Sequence, residues 1–217
     1  MALKNFDNSL EKVGLFGGRF DPVHRAHVQM ARLAADQIGL SSVRWIPAGN
    51  PLHKDVSASP QHRLSMLKIA LNNCGDNRMI IDERELNNNL LLPSFTYKTI
   101  ESLKEEFPKK IFFWILGEDQ LLNFKNWKNW RWLLDNLVLA FFQRPKENEI
   151  IKDGRCASNE MVKILQGYGG EIIPINSFSD KVSSSYIRNS LKKKQSPRDT
   201  LDYEVYLYAK EHNLYID

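Results

Sequence analysis

His24 and His27 close the run Gly17-Gly18-Arg19-Phe20-Asp21-Pro22-Val23-His24-Arg25-Ala26-His27, which follows directly on the apolar stretch Val13–Phe16. Imidazoles titrate near neutrality and can donate hydrogen bonds to an anionic group. Paired glycines let a backbone approach a ligand closely, because no Cβ stands in the way. Pro22 removes an amide and stiffens the turn. The run re-emerges at His27 into a helical pattern, and a helix N-terminus favours anions. Glycines, imidazoles and a helix start converging after a first strand read as a triphosphate site. Zinc binding by the His-x-x-His pair is the first alternative, but further ligands are not evident nearby, and Cys74 and Cys156 lie far along the chain. A plain glycine-rich turn explains the glycines, yet not Phe-Asp-Pro together with two histidines.

A second chemical cluster, Val182-Ser183-Ser184-Ser185-Tyr186-Ile187-Arg188, stands near the other end of the chain. Serines at a helix start supply hydroxyls and unpaired amides for phosphate oxygens. Arg188 comes three residues after Ser185, so the two share a helix face and can grip one oxyanion. Taken alone, this cluster is better read as an N-cap with an incidental arginine.

The first run resembles the nucleotidylyltransferase signature Gly-Gly-x-Phe-Asp-Pro-x-His-x-Gly-His, with Ala26 where glycine is usual. It is neither a P-loop nor a Gly-x-Gly-x-x-Gly loop. The second cluster resembles that family's Ile-Ser-Ser-Thr-x-Ile-Arg, with Val182 for Ile and Ser185 for Thr. The middle of the chain resembles bacterial nicotinate-nucleotide adenylyltransferases at Ile46–Lys54, Asp82–Leu86, Pro93–Tyr97, Leu116–Leu122 with Phe124 and Trp127, and Gln143-Arg144-Pro145. Pantetheine-phosphate adenylyltransferases share the first motif but lack this set.

The resemblance implies transfer of AMP from ATP to nicotinate mononucleotide, with deamido-NAD and pyrophosphate as products. It implies ATP binding by Gly17, Gly18, Arg19, Phe20, His24, His27, Gly117, Asp119, Ser184, Ser185 and Arg188, with His24, His27 and Arg188 catalytic. Lys54 becomes a phosphate ligand, Ser94 and Thr96 hold the pyridine carboxylate, Trp127 faces the pyridine ring, and Arg144 partners the mononucleotide phosphate. Lys128 departs from the aromatic sometimes found beside that tryptophan. Mg²⁺ would ride on the ATP phosphates, with no resident metal. Plainer roles stand beside these: Lys54 as a loop lysine, Ser94, Thr96 and Asp119 as helix caps, Arg144 as a surface residue, and some tryptophans as core. An adenylyltransferase for nicotinamide mononucleotide, a non-catalytic nucleotide-binding regulator and an RNA-binding domain remain alternatives. The absence of a basic-aromatic stripe weighs against RNA.

Strand-like and helical patterns alternate to position these residues. Strands are expected at Val13–Phe16, Val43–Ile46, Met79–Ile81, Ile111–Leu116, Val138–Phe142 and Glu171–Ile175. Helices are expected at His27–Ile38, Gln61–Leu71 (opened by Ser59-Pro60), Ser94–Phe107, Glu160–Gln166, Ser184–Lys194 and Thr200–His212, with Lys146–Ser158 the most loop-like stretch. This alternation predicts an α/β, Rossmann-like, doubly wound parallel sheet with C-terminal helices. The 217 residues fit one domain, with 1–11 as a tail that could be flexible. The longest apolar run, Ile111–Leu116, is too short to cross a bilayer, and the N-terminus has no signal-like apolar core. A cytoplasmic enzyme is expected, with two cysteines as free thiols. A net charge of +4 suits phosphorylated small molecules as well as nucleic acid, and an oligomer is compatible with the sequence.

Overall fold

The computed structural model describes residues 6–7, 9–50, 57–87, 93–142, 157–176, 182–197 and 199–216. The strands are β1 (Glu11–Gly18), β2 (Ser42–Pro47), β3 (Met79–Ile81), β4 (Lys110–Gly117), β5 (Val138–Phe142) and β6 (Ile172–Ile175). The helices are α1 (Arg25–Ile38), α2 (Pro60–Cys74), α3 (Arg84–Asn87), α4 (Thr96–Glu106), α5 (Glu118–Leu122), α6 (Trp130–Asn136), α7 (Ala157–Gly167), α8 (Ser184–Lys192) and α9 (Tyr203–Glu211). Six strands form one sheet in the order β3-β2-β1-β4-β5-β6. The ladders β1–β4, β4–β5 and β5–β6 are parallel. The expected doubly wound α/β sheet is what forms, and the strand order reverses at β1, whose carboxyl end carries Gly17 and Gly18.

Two compact units are made of interleaved segments. The first takes in the described residues of Met1–Phe16, Leu33–Arg44 and Phe95–Ser179, and the second those of Gly17–Arg32, Trp45–Ser94 and Asp180–Asp217. Neither is a continuous stretch of chain.

The first unit is built on β4 and β5. Residues 111–116 and 138–142 are all buried, as parallel strands covered on both faces must be. Each Val, Leu, Ile or Phe among them contributes about 1.5–3 kcal/mol by leaving water. Gly14 has no side chain because Leu40 fills the place: a Cβ there would lie 2.7 Å from Leu40 Cδ1.

In the second unit, α2 starts as its sequence predicts. Ser59 accepts at Oγ from the His62 amide, Pro60 opens the helix, and Gly75 ends it in the left-handed region. Trp45 is fully buried and donates from Nε1 to Met79 Sδ at 3.3 Å.

Several expectations need correction, the first being α1, which begins at Arg25 and so places His27 within its first turn. Helix α4 begins at Thr96 with Phe95 as an N-cap that makes no side-chain bond, so Ser94 lies outside the helix. The C-terminal helices are shorter than their apolar patterns: α8 ends at Lys192 and α9 spans Tyr203–Glu211. Helices α3, α5 and α6 were not expected; at four, five and seven residues they are too short to show a clear period. Within Lys146–Ser158, Ala157 and Ser158 already belong to α7, and the rest lies outside the described residues.

Candidate active site

The chain leaves β1 through Gly17 and Gly18 and turns at Phe20, which sits at φ 48 in the left-handed region. The Phe20 ring folds back over Gly18, where a Cβ would lie 2.9 Å from Phe20 Cζ. The missing side chain of Gly18 therefore makes room for Phe20, whereas the sequence suggested room for a ligand. Phe20 is 3% exposed, and its ring meets His27 edge-on at 5.3 Å and Trp45 at 5.2 Å. It is a buried wedge that braces the turn and the histidine.

Asp21 is 1% exposed, and its carboxylate is committed to structure. Oδ2 accepts from the Ser57 amide at 2.7 Å; Oδ1 accepts from the Ala58 amide at 3.2 Å and the Tyr215 hydroxyl at 2.7 Å. Burial, then the neighbouring Asp21 charge, pushes the Tyr215 phenol well above its ordinary range, so it stays a donor.

His24 is buried and caps α1, while His27 is half-buried in its first turn. Their rings stack at 3.6 Å between centroids, 25° apart. The His24 amide donates to His27 Nδ1 at 3.2 Å, one half of a capping box, in which the third helical residue's side chain satisfies the N-cap amide. That bond makes Nδ1 the acceptor of His27 and leaves its proton on Nε2. Burial lowers His24 to about 4, and burial plus the neighbouring His24 takes His27 well below 6.5. Both rings are neutral at pH 7. His24 Nδ1 is buried with no hydrogen-bond partner among the described residues, an unspent polar atom at the heart of the motif. At the helix start, the Arg25 amide donates to Thr200 O and the His27 amide to His24 O. The side chains carry much of the anion-binding potential that the sequence assigned to the helix end.

The second motif docks on the first. Ser183 caps α8, accepting at Oγ from the Tyr186 amide at 3.2 Å. Ser184 Oγ donates to Pro22 O at 3.0 Å. Arg188 donates from Nη1 to Asp21 O at 2.8 Å and from Nη2 to Ser185 Oγ at 3.3 Å. Residues 162 and 167 positions apart in sequence are thereby joined. Ser185 and Arg188 do share a helix face, and two of the guanidinium's five donors are spent in holding it there. The result is a set of imidazole, hydroxyl and guanidinium donors in one unit, suited to phosphate oxygens.

Arg63, absent from the residues singled out in the sequence, is 0% exposed in the same unit. It donates to Arg19 O at 2.8 Å and Ala48 O at 2.7 Å. A sequence signal existed. Arg63 shares the buried stripe of α2 with Met66, Leu67, Ala70 and Leu71, where an arginine is out of place.

Of the residues expected to hold the second substrate, Ser94 belongs to the second unit, where its amide donates to Asn50 O at 3.0 Å. Thr96, Gly117, Asp119 and Trp127 belong to the first unit. Gly117 caps α5, and a Cβ on it would lie 2.8 Å from Asp119 Oδ1, so the glycine lets that carboxylate fold back. Trp127 is half-buried, edge-on to Trp114 at 6.0 Å and tilted against Phe124 at 5.2 Å. Lys128 places its amine over the Phe95 ring at 4.5 Å. Trp130 packs edge-on to Tyr168, flanked by Lys125 and Arg131. Lys54 and Arg144 lie outside the described residues.

The chain matches the family model described as Cytidylyltransferase-like over residues 15–190. It is 32% identical over 207 residues to a probable nicotinate-nucleotide adenylyltransferase of Neisseria meningitidis serogroup C, covering 95% of this chain and 99% of the relative. A probable nicotinate-nucleotide adenylyltransferase of Chromobacterium violaceum is 42% identical over 137 residues, 62% of this chain and 63% of the relative. Among solved structures, the fold is similar to the Plasmodium falciparum nicotinic acid mononucleotide adenylyltransferase complexed with NaAD. That match has a TM-score of 0.76 at 18% identity, covering 94% of this chain and 97% of that one.

Proposed function

We infer the reaction from one premise: the chain belongs to the cytidylyltransferase-like family and, within it, to the nicotinate-nucleotide adenylyltransferases. The enzyme transfers AMP from ATP to the phosphate of nicotinate mononucleotide, giving deamido-NAD and pyrophosphate. The observation that carries the reading is the docking of the two motifs through Arg188 on Asp21 O and Ser184 on Pro22 O.

The attacking phosphate has a second pKa near ~6 and is largely a dianion at neutral pH, so no general base is needed. One of its oxygens attacks the α-phosphorus of ATP in line, and the bond to the departing pyrophosphate oxygen breaks. The protein's work is positioning and charge stabilisation. His27, neutral with its proton on Nε2, donates to a phosphate oxygen as charge develops there. His24, Ser185 and Arg188 grip the rest of the triphosphate, with Gly17, Gly18, Arg19 and Phe20 shaping the loop. Gly117 and Asp119 serve the ATP ribose. Thr96, Ser94 and Trp127 hold the nicotinate, and Lys54 and Arg144 its phosphate. Mg²⁺ arrives on the ATP phosphates. Asp21, the carboxylate within the first motif, is saturated by two amides and a phenol, so the donor set fits phosphate oxygens and not a bare cation.

No helix of the described residues is long and apolar enough to cross a membrane, and Cys74 is a free thiol. These support a cytoplasmic enzyme. Incubation with ATP and nicotinate mononucleotide should release pyrophosphate in step with dinucleotide, and neither should appear with ATP alone. Tight ATP binding without product would mark a nucleotide-binding regulator instead.

A further inference from the structure

Arg63 presents a physical problem that a packing role does not solve. Its guanidinium is fully buried on the apolar stripe of α2. Among the described residues it forms no ion pair within bonding distance, and its Nε–H has no partner. Burying a cation this way is expensive, and an apolar side chain of similar volume would commonly be neutral or better for stability. What the guanidinium reaches instead is backbone. Nη1 donates to Arg19 O at 2.8 Å, in the loop that leaves β1. Nη2 donates to Ala48 O at 2.7 Å and lies 3.4 Å from Gly49 O, in the loop that leaves β2. The Ala48 amide in turn donates to Gly18 O at 2.9 Å, closing a small ring of bonds around the glycine turn. The carboxylate whose charge acts on Arg63 is that of Asp21, already held by three donors.

We propose that Arg63 is a positioning residue whose planar fork fixes the loop after β1 against the loop after β2, holding the glycine turn in the shape that receives the ATP phosphates. This rests on the adenylyl-transfer reading above. A planar guanidinium can bridge two carbonyls at a fixed separation, which the point charge of lysine cannot do. Small misplacements of such a loop cost far more in rate than in fold, since catalysis here is positioning.

The test is calorimetry with a non-hydrolysable ATP analogue on the parent chain, Arg63→Met and Arg63→Lys, with turnover measured alongside. Stoichiometry reports the folded, competent fraction, and Kd reports the shape of the site. The expected result is a stoichiometry near that of the parent with Kd weakened on the order of tenfold or more in Arg63→Met, Arg63→Lys lying between, and kcat falling in the same order. If Arg63→Met does not fold, Arg63→Lys alone is judged by the same readout. Kd within about twofold of the parent's in the folded variants, or a loss confined to stoichiometry, makes Arg63 merely structural and overturns the proposal. A parent chain that binds the analogue yet makes no dinucleotide would sink the family reaction while leaving the Kd comparison decisive for Arg63.

Discussion

His27 Nδ1 accepts the His24 amide, and this one bond decides how the ring can meet a phosphate: as an Nε2–H donor. Burial keeps the ring neutral, so as a phosphate ligand it would add a hydrogen bond without bringing a fixed charge that would grip substrate and products alike. His27→Ala should therefore lower kcat about a hundredfold or more, with KM for ATP rising much less. Steady-state kinetics over a range of ATP checks this; a mutant with unchanged kcat would place His27 outside the chemistry. Residue types were legible where a motif carried them: Ser185 and Arg188 share a helix face as their spacing suggested, and the two motifs that the resemblance paired meet through Ser184 and Arg188. Contacts were less legible. Gly18 looked like a place for a ligand and proved to be a seat for the Phe20 ring, because nothing local in sequence says which way an aromatic will fold.

Helix α8 carries Ser184, Ser185 and Arg188, so its start must be held still. Ser183 Oγ does so by accepting from the Tyr186 amide. Ser183→Ala should cost about 1 kcal/mol of stability, read from a urea unfolding midpoint, and raise KM for ATP with little change in kcat. An unchanged KM would mean that the docking bonds to Pro22 and Asp21 hold the helix without its cap. Strands β3 and β5 fall where their apolar runs predicted, and β4 extends its run by one residue at each end. Helices α5 and α6 were invisible for a physical reason: each is about two turns or fewer, and neither N-cap makes a side-chain bond. Helix α2 was read correctly at its start because Ser59 and Pro60 are local signals. Ser94 illustrates the converse, a good capping type used instead to tie a loop to Asn50.

Stability of the whole chain should depend on acid through buried His24. His24 is held at about 4 in the folded state against an ordinary value of 6.5. Between these values the unfolded chain binds more protons than the folded one, so stability present above pH 6.5 is lost as pH falls toward about 4. The loss from His24 alone is roughly 3 kcal/mol. Urea midpoints measured from pH 7.5 downward should fall through this window, and His24→Gln should flatten the slope. An unchanged slope would mean that other groups carry the acid response. The reaction itself is tested most directly by kcat/KM for nicotinate mononucleotide and for its amide, each with ATP in the same buffer. The two substrates differ by one carboxylate oxygen replaced by NH₂, and donors arranged for an anion are left unpaired by the amide at about 1–3 kcal/mol each. The predicted result is dinucleotide formation with a preference for the acid of at least about tenfold. Equal values, a preference for the amide, or no dinucleotide from either would contradict the assignment.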